Sequence, residues 1–499
     1  MAHDARNEFH LTTDVAGSFT APARPASHAG DGVFRLVLLG AYAGARNVDR
    51  ATLETTILGR RAVRVDRDDV DAAIAALKPS ADVVLDPSAA PTPITFGSLE
   101  DFHPDRLLAR LPFFAGLREL KTQAARSRAS SAPASIPAEA LGEPPAPAGN
   151  LLDMIVDGDP NTPIEALRRA VPKSDLEQFL DRAVSRHLVR GPSAEETAVA
   201  AKVDRVIDAS LRVLLHDRRL QEVEALWRGV DLLVRHLETS GSFQVFVVDL
   251  SREELAADLE TAATVDRSAA YRLLASRVGA EGNAPNLIVG DFICDADDPA
   301  FIARLAALGA ALHCPIMSGA SPSFVGVDSF ENNADPDDWS VVASDEWAAL
   351  RRSPVASHLS LVAPRVILRQ PYGRKSDAVD SMPFEELPPD NRHHESLLWG
   401  SGAVVAAAIA AAPVAEGDAP ATHGTLSGLP FVSFNDDGDV TTIPCAEAWL
   451  GERAIGRLLD LGLTPLASMR DGDAVRAPRV QSIAAPPRAL PIRAGVSGR

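Results

Sequence analysis

An α/β chain, mixed α+β in its details, is what the sequence predicts, and three observations predict it. Apolar runs of strand length at 34–39, 243–250, 286–294 and 315–318 alternate with segments of helical periodicity. Alternation of that kind builds a sheet with helices packed against it. A stretch rich in Pro, Ala and Ser at 127–150 separates a small part from a large one, and 499 residues exceed what one typical core accommodates.

The elements follow in order. Residues 34–39 (FRLVLL) read as a strand ended by Gly40, and 61–65 alternate like a second strand. Residues 68–77 carry Val70, Ile74 and Leu77 on one face, which predicts a helix with Asp68 as N-cap and Pro79 just beyond its end. Ile94-Thr95-Phe96 is a further strand, and 99–122 a helical stretch bent at Pro112. The 24 residues of 127–150 would span roughly 27 Å as a flexible coil, enough to join neighbouring folded units.

Beyond the linker come the apolar run 151–156 (LLDMIV) and polar helical sequence at 165–190, and a long helical region covers 201–238. Within it Val223, Leu226, Trp227, Val230, Leu233, Val234 and Leu237 form one apolar face, the pattern of a buried helix. Residues 251–278 and 300–312 are helical, 359–368 extended, and an alanine-rich helix starts near Ala403. Residues 431–434 and 440–443 flank Asn435-Asp-Asp-Gly-Asp439, a hairpin signal. The expected organisation is a flexible segment 1–30, a domain 31–126, the linker 127–150, a domain 151–480 and a flexible tail 481–499.

Composition narrows the function classes. Apolar residues make up 46% and charged residues 23%, as in a folded globular protein, while a net charge of −19 disfavours nucleic acid as a partner. Three widely spaced cysteines, Cys294, Cys314 and Cys445, suggest neither a disulfide framework nor a metal knuckle, so a cytoplasmic setting is expected. The N-terminus has no apolar core behind basic residues, and the most apolar run, 403–412, is half a bilayer span; neither secretion by a signal peptide nor direct membrane insertion is expected.

Catalytic spacings are mostly missing. There is no phosphate loop of the GxxxxGK[ST] type, no HExxH zinc helix and no GxSxG elbow. Gly400-Ser401-Gly402 lacks the third glycine of a dinucleotide turn and reads as a helix start. His393-His394-Glu395 would diverge too far to share one metal, Asp436, Asp437 and Asp439 fit a turn better than a calcium loop, and Asp295, Asp297 and Asp298 suit a helix N-terminus. No enzyme, cofactor or metal is therefore expected. A dispersed α/β enzyme or ligand site around Gly290, Asp291 and Ser318 to Ser321 remains the alternative from another class.

Ordered landmarks carry a resemblance. In the small part they are 34–42 (FRLVLLGAY), 74–79 (IAALKP) and 94–105 (ITFGSLEDFHPD). In the large part they are Leu226-Trp227-Arg228-Gly229, Leu287-Ile-Val-Gly290-Asp291, Ser321-Pro322, Pro364-Arg365, Pro371-Tyr372-Gly373, Trp399-Gly400, 428–430, 436–440 and 461–466. With these the small part resembles the small subunit, and the large part the large subunit, of the type VI secretion contractile sheath. The resemblance implies a structural protomer, the two subunits fused through the linker, that polymerises with itself or other sheath subunits around an inner tube protein, is assembled on a baseplate, and contracts. It also implies that Leu151, Leu152, Asp153, Ile155 and Val156 form a short helix read by an AAA+ recycling unfoldase. Family large subunits continue past the equivalent of Gln481 into segments that exchange strands between protomers, so a variant expectation is an accessory or capping homologue that limits polymerisation.

Overall fold

The computed structural model describes residues 32–119 and 195–494, apart from 45–47, 86–89, 277, 279–284, 342–343, 389–393, 437–438 and 471–472. The expected terminal segment 1–30, the linker 127–150 and the helices at 151–156 and 165–190 lie outside the described residues.

Before the linker the chain forms β1 (Phe34–Gly40), α1 (Leu53–Gly59), β2 (Val63–Val65), α2 (Val70–Leu77), β3 (Ser80–Val83), β4 (Thr92–Thr95) and α3 (Pro104–Arg110). After it come α4 (Glu195–Leu215), α5 (Arg218–His236), β5 (Phe243–Asp249), α6 (Arg252–Thr261), α7 (Ala269–Ser276), β6 (Leu287–Cys294), α8 (Pro299–Ala311) and β7 (Ile316–Ala320). The remainder holds α9 (Asp345–Arg352), β8 (Leu359–Ala363), β9 (Val366–Ile367), β10 (Trp399–Gly400), α10 (Gly402–Ala415), β11 (Gly424–Leu426), β12 (Val432–Asp436), β13 (Asp439–Ile443), α11 (Glu452–Asp460), β14 (Leu463–Pro465), β15 (Ala467–Ser468) and β16 (Val475–Ala477).

A seven-stranded sheet in the order β14-β8-β7-β6-β1-β5-β2 organises the molecule, with every pairing parallel except that of the edge strand β2. Parallel strands covered on both faces read as continuous apolar runs, and FRLVLLG is one. Side chains alternate across the sheet. Leu36 and Leu38 join Val245, Val247, Leu287 and Val289 under α5 and α10, whereas Val37 and Leu39 join Val248, Ile288 and Ile316 under α6, α7 and α8.

The linker divides the sequence but not this sheet. β1 lies between β5 and β6, with Leu38 level with Val247 on one side and Val289 on the other. Further ties cross between the same two stretches of chain. Arg60 makes a two-pronged ion pair with Glu254, at 2.8 and 2.6 Å, and the Asp105 carboxylate accepts from the backbone N–H groups of Asp380 and Ser381 at 2.9 and 3.0 Å.

Local chemistry shortens several expected elements. The helical region 201–238 breaks at His216-Asp217, because the Asp217 carboxylate accepts from the N–H groups of Arg219 and Leu220 and starts α5 afresh. The stretch 251–278 becomes α6 and α7, since Asp258 of α6 accepts from the N–H groups of Ala269 and Ala270 at the start of α7. Asp69, not Asp68, caps α2. Residues 99–122 resolve into a 3-10 turn at Leu99–Phe102, α3 and a helix from 112 onward, His103 capping α3. The extended run 359–368 divides at Pro364-Arg365, where β9 leaves the large sheet to pair with β10. Residues 481–484, expected to open a flexible tail, are buried: Gln481 donates to the carbonyls of Leu459 and Leu463, and the N–H of Ile483 donates to Leu359.

Candidate functional site

Helix α5 carries the most chemistry in the fold. Its apolar face packs on the sheet through Leu220, Val223, Trp227, Val230 and Leu233, yet Glu224 lies on that same face and is fully buried. A carboxylate in such a place needs cationic partners, because desolvation otherwise costs several kcal/mol.

Glu224 has two. Arg369 approaches it with Nε at 2.7 Å from Oε1, and Arg228, one turn along α5, places Nε 2.8 Å from the same oxygen. The other edge of Arg369 engages Glu386, with Nη1 2.7 Å from Oε2 and Nη2 3.1 Å from Oε1. Tyr372 completes the cluster: its hydroxyl accepts from Arg228 at 2.9 Å, its N–H donates to Glu386 at 2.7 Å, and its ring lies 4.2 Å from the Arg369 guanidinium. His103, from before the linker, meets the Tyr372 ring edge-on at 5.1 Å.

The charges follow from these contacts. Burial alone would raise Glu224, but the Arg369 and Arg228 guanidiniums outweigh it and hold the carboxyl below its ordinary range. Burial opposes the charge on Arg369 as well, and Glu224 and Glu386 more than compensate, holding it well above the usual guanidinium value. Tyr372 is pushed up by burial and then by Glu224. Glu224 and Arg369 are thus charged near neutral pH, while the Tyr372 phenol stays neutral.

Around Trp227 of the same helix the arrangement differs. Trp227 is fully buried, its Nε1–H donates to the Tyr42 carbonyl at 3.0 Å, and its ring meets the Tyr42 ring edge-on at 5.4 Å. The Tyr42 hydroxyl donates to Asp291 Oδ2 at 3.1 Å. Gly229 packs close by: a Cβ there would stand 3.4 Å from Asp291 Oδ2, at the edge of ordinary van der Waals contact. Burial pushes Asp291 up to about 7, the Tyr42 hydrogen bond offsetting only part of the rise.

Sequence reasoning singled out several of these residues. The structure brings Trp227, Arg228 and Gly229 together with Tyr372 and Asp291, while Leu226 packs over Gly40, its Cδ2 3.0 Å from where a Cβ would lie. Pro364-Arg365 and Trp399-Gly400 form a neighbouring group: Arg365 pairs with Glu395 at 2.8 Å and Glu447 at 3.1 Å and lies 5.4 Å from the Trp399 ring. A Cβ on Gly400 would collide with the buried Leu368 side chain, whereas one on Gly373 would meet only the movable carboxylate end of Glu385. Gly290 and Ser321-Pro322 stand apart. A Cβ on Gly290 would reach the Phe292 ring at 2.6 Å, and Ser321-Pro322 opens a 3-10 turn beyond β7. Leu151, Leu152, Asp153, Ile155 and Val156 fall outside the described residues.

Glu224, Arg369, Glu386 and Tyr42 were missed as members of the site. For Glu224 the signal was present, a charge at a core position between Leu220 and Trp227. Arg369 and Glu386 sit in irregular segments, where no periodicity marks a buried position.

Ser318, expected in the alternative ligand site, makes contacts within the sheet. The Ser318 hydroxyl lies 2.9 and 2.8 Å from the carbonyls of Gly290 and Phe292, where it stitches a register shift between β6 and β7. Asp298 caps α8 through the N–H of Phe301, and the His394 ring stacks at 4.5 Å from that of Trp399. Among the described residues no group of three or more His, Cys, Asp or Glu could hold a metal ion, and no helix is long and apolar enough to cross a membrane. All three cysteines are buried, and none forms a disulfide with another.

Comparison with known proteins now decides the family. Residues 197–483, more than half of the chain, match the family model described as VipB: EvpB/VC_A0108, tail sheath N-terminal domain. The chain belongs to this family. A similar relative is the type VI secretion system sheath protein TssC1 of Pseudomonas aeruginosa, 28% identical over 293 residues that make up 55% of this chain and 59% of the relative. Both α5 with its charge network and the sheet from β5 onward lie in the matched stretch; β1 and the rest of 32–119 lie outside it.

Proposed function

We propose that this chain is the structural protomer of a type VI secretion contractile sheath, with a small-subunit-like segment at 31–126 joined through 127–150 to the large-subunit-like part at 151–480. The protomer stacks into a helical polymer around an inner tube, is assembled on a baseplate in the cytoplasm, and contracts to propel the tube. The sheath assignment rests on the family match over 197–483. The fusion rests on one observation: β1, from before the linker, occupies the middle of the sheet between β5 and β6. A large-subunit-like part lacking β1 would leave two central strands with unpaired edges, which a second polypeptide would otherwise have to fill.

A helical polymer needs a heterologous contact that does not close on itself, and it stores its energy in the lattice, so no bound nucleotide is required. The segment Leu151 to Val156 serves in this reading as the handle for a recycling AAA+ unfoldase, its apolar side chains anchoring in a groove of the partner. Negative-stain microscopy of the purified chain, alone and with tube protein, tests the proposal. Tubes of stacked rings are expected, and monomers that persist in both conditions would overturn it.

A further inference from the structure

A small cleft of about 150 Å³ opens where the end of α9 and the turn Pro354–His358 meet the segment 484–488. Arg351, Arg352 and Arg488 line it, beside Ser353 and Ser357, and no carboxylate is among the lining residues. That is unusual in a chain whose net charge is −19. Arg351 is fixed in place, donating from Nε to the Ile483 carbonyl and from Nη1 to the Asp460 carbonyl, each at 2.9 Å. Arg352 and Arg488 are exposed and their guanidiniums have no hydrogen-bond or ion-pair partner among the described residues.

A further cation, Arg493, acts on the same turn. His358, at the end of the same turn, is pushed down by burial and then by His313 and Arg493. The carboxylate that acts on Arg351 is that of Asp460, which raises it without overcoming burial, so Arg351 stays below the usual guanidinium value. Arg60, Arg228, Arg365 and Arg369 behave oppositely, each held above that value by bonded carboxylates. Arg351 is thus a positioned cation that lacks the counter-charge its counterparts have.

We infer that this cleft is an oxyanion site, and that its occupant is a carboxylate-bearing segment of a second copy of this chain. Guanidinium groups bind carboxylates through paired N–H donors, and three around one cleft can take both oxygens of one carboxylate. Charge complementarity selects the occupant. Stacked acidic protomers repel one another, and a cationic cleft on each gives the neighbour's surplus acid a place to bind. The choice of a second copy rests on the sheath reading; the oxyanion site does not.

Two arms of one experiment on the full chain test this. Titration with inorganic pyrophosphate at constant ionic strength should show binding that weakens at least about tenfold in the Arg352→Gln/Arg488→Gln double variant. Arg351 is left intact because it holds two carbonyls. No binding by the unmodified chain, or equal binding by the double variant, overturns the oxyanion site. In the second arm, sedimentation should show that Arg352→Glu/Arg488→Glu reduces assembly severalfold and that pyrophosphate inhibits assembly of the unmodified chain. Assembly indifferent to both would assign the cleft to a free anion and overturn the second-copy occupant. An unmodified chain that never assembles removes the sheath reading and that occupant together, and the titration then judges the oxyanion site alone.

Discussion

Glu224 and Asp291 are both buried carboxylates at helix α5, the first carried by it and the second packed near its Gly229, yet their charge states diverge. Glu224 meets two guanidiniums and stays ionised, held below its ordinary range. Asp291 meets a phenol beside Gly229, and burial lifts it to about 7. Depth of burial does not separate them; the partners do. A buried acid with full cationic counterparts is a fixed strut, whereas one with a single neutral donor remains open to titration near neutral pH.

Breaking the strut should have the largest effect. Arg369→Met leaves Glu224 and Glu386 buried with too few cations and should cost about 3–5 kcal/mol, read as a lower urea midpoint at unchanged slope. A loss below about 1 kcal/mol would mean that the network is not a stabilising unit. Trp227→Ala, which removes a fully buried ring, should cost a comparable roughly 3–5 kcal/mol through cavity formation alone. Measuring it beside Trp227→Phe separates lost volume from the lost hydrogen bond to Tyr42.

Asp291 sharpens the contrast through pH. Its folded value of about 7 lies above an unfolded value of about 3.9. The native state therefore holds a proton that the unfolded chain has released, and stability falls as pH rises from about 4 to about 7, then levels off. The gap between the folded and unfolded values sets an upper bound of about 4 kcal/mol on that fall. Asp291→Asn should flatten the dependence and be the more stable protein at pH 8, by urea denaturation; an unaltered pH profile would show that Asp291 is not the titrating group. Glu224 has the opposite sign, its contribution present above about pH 4.3 and lost as pH falls through its lowered folded value. Smallest of all, Arg50→Ala breaks an exposed pair with Glu260 and should change stability by less than about 1 kcal/mol.

What the sequence disclosed follows the range of the forces involved. β1, β5, β6 and α8 were legible almost to the residue because burial on both faces or helical periodicity is written locally. The separation of α6 from α7 was not, since it depends on Asp258 reaching eleven residues ahead to Ala269. Likewise Trp227 was recognisable as a buried landmark, but its partner Tyr42 lies 185 residues away. Most important, β1 could be read as a strand, whereas its place between β5 and β6 required the fold.

That placement is tested most directly by cutting the chain at a protease site inserted within 127–150 and passing the product over a sizing column without denaturant. The two fragments should elute together at the size of the uncut chain, and separate only in urea. Fragments that part under native conditions would contradict a single shared sheet, and with it the reading of this protein as two sheath subunits in one chain.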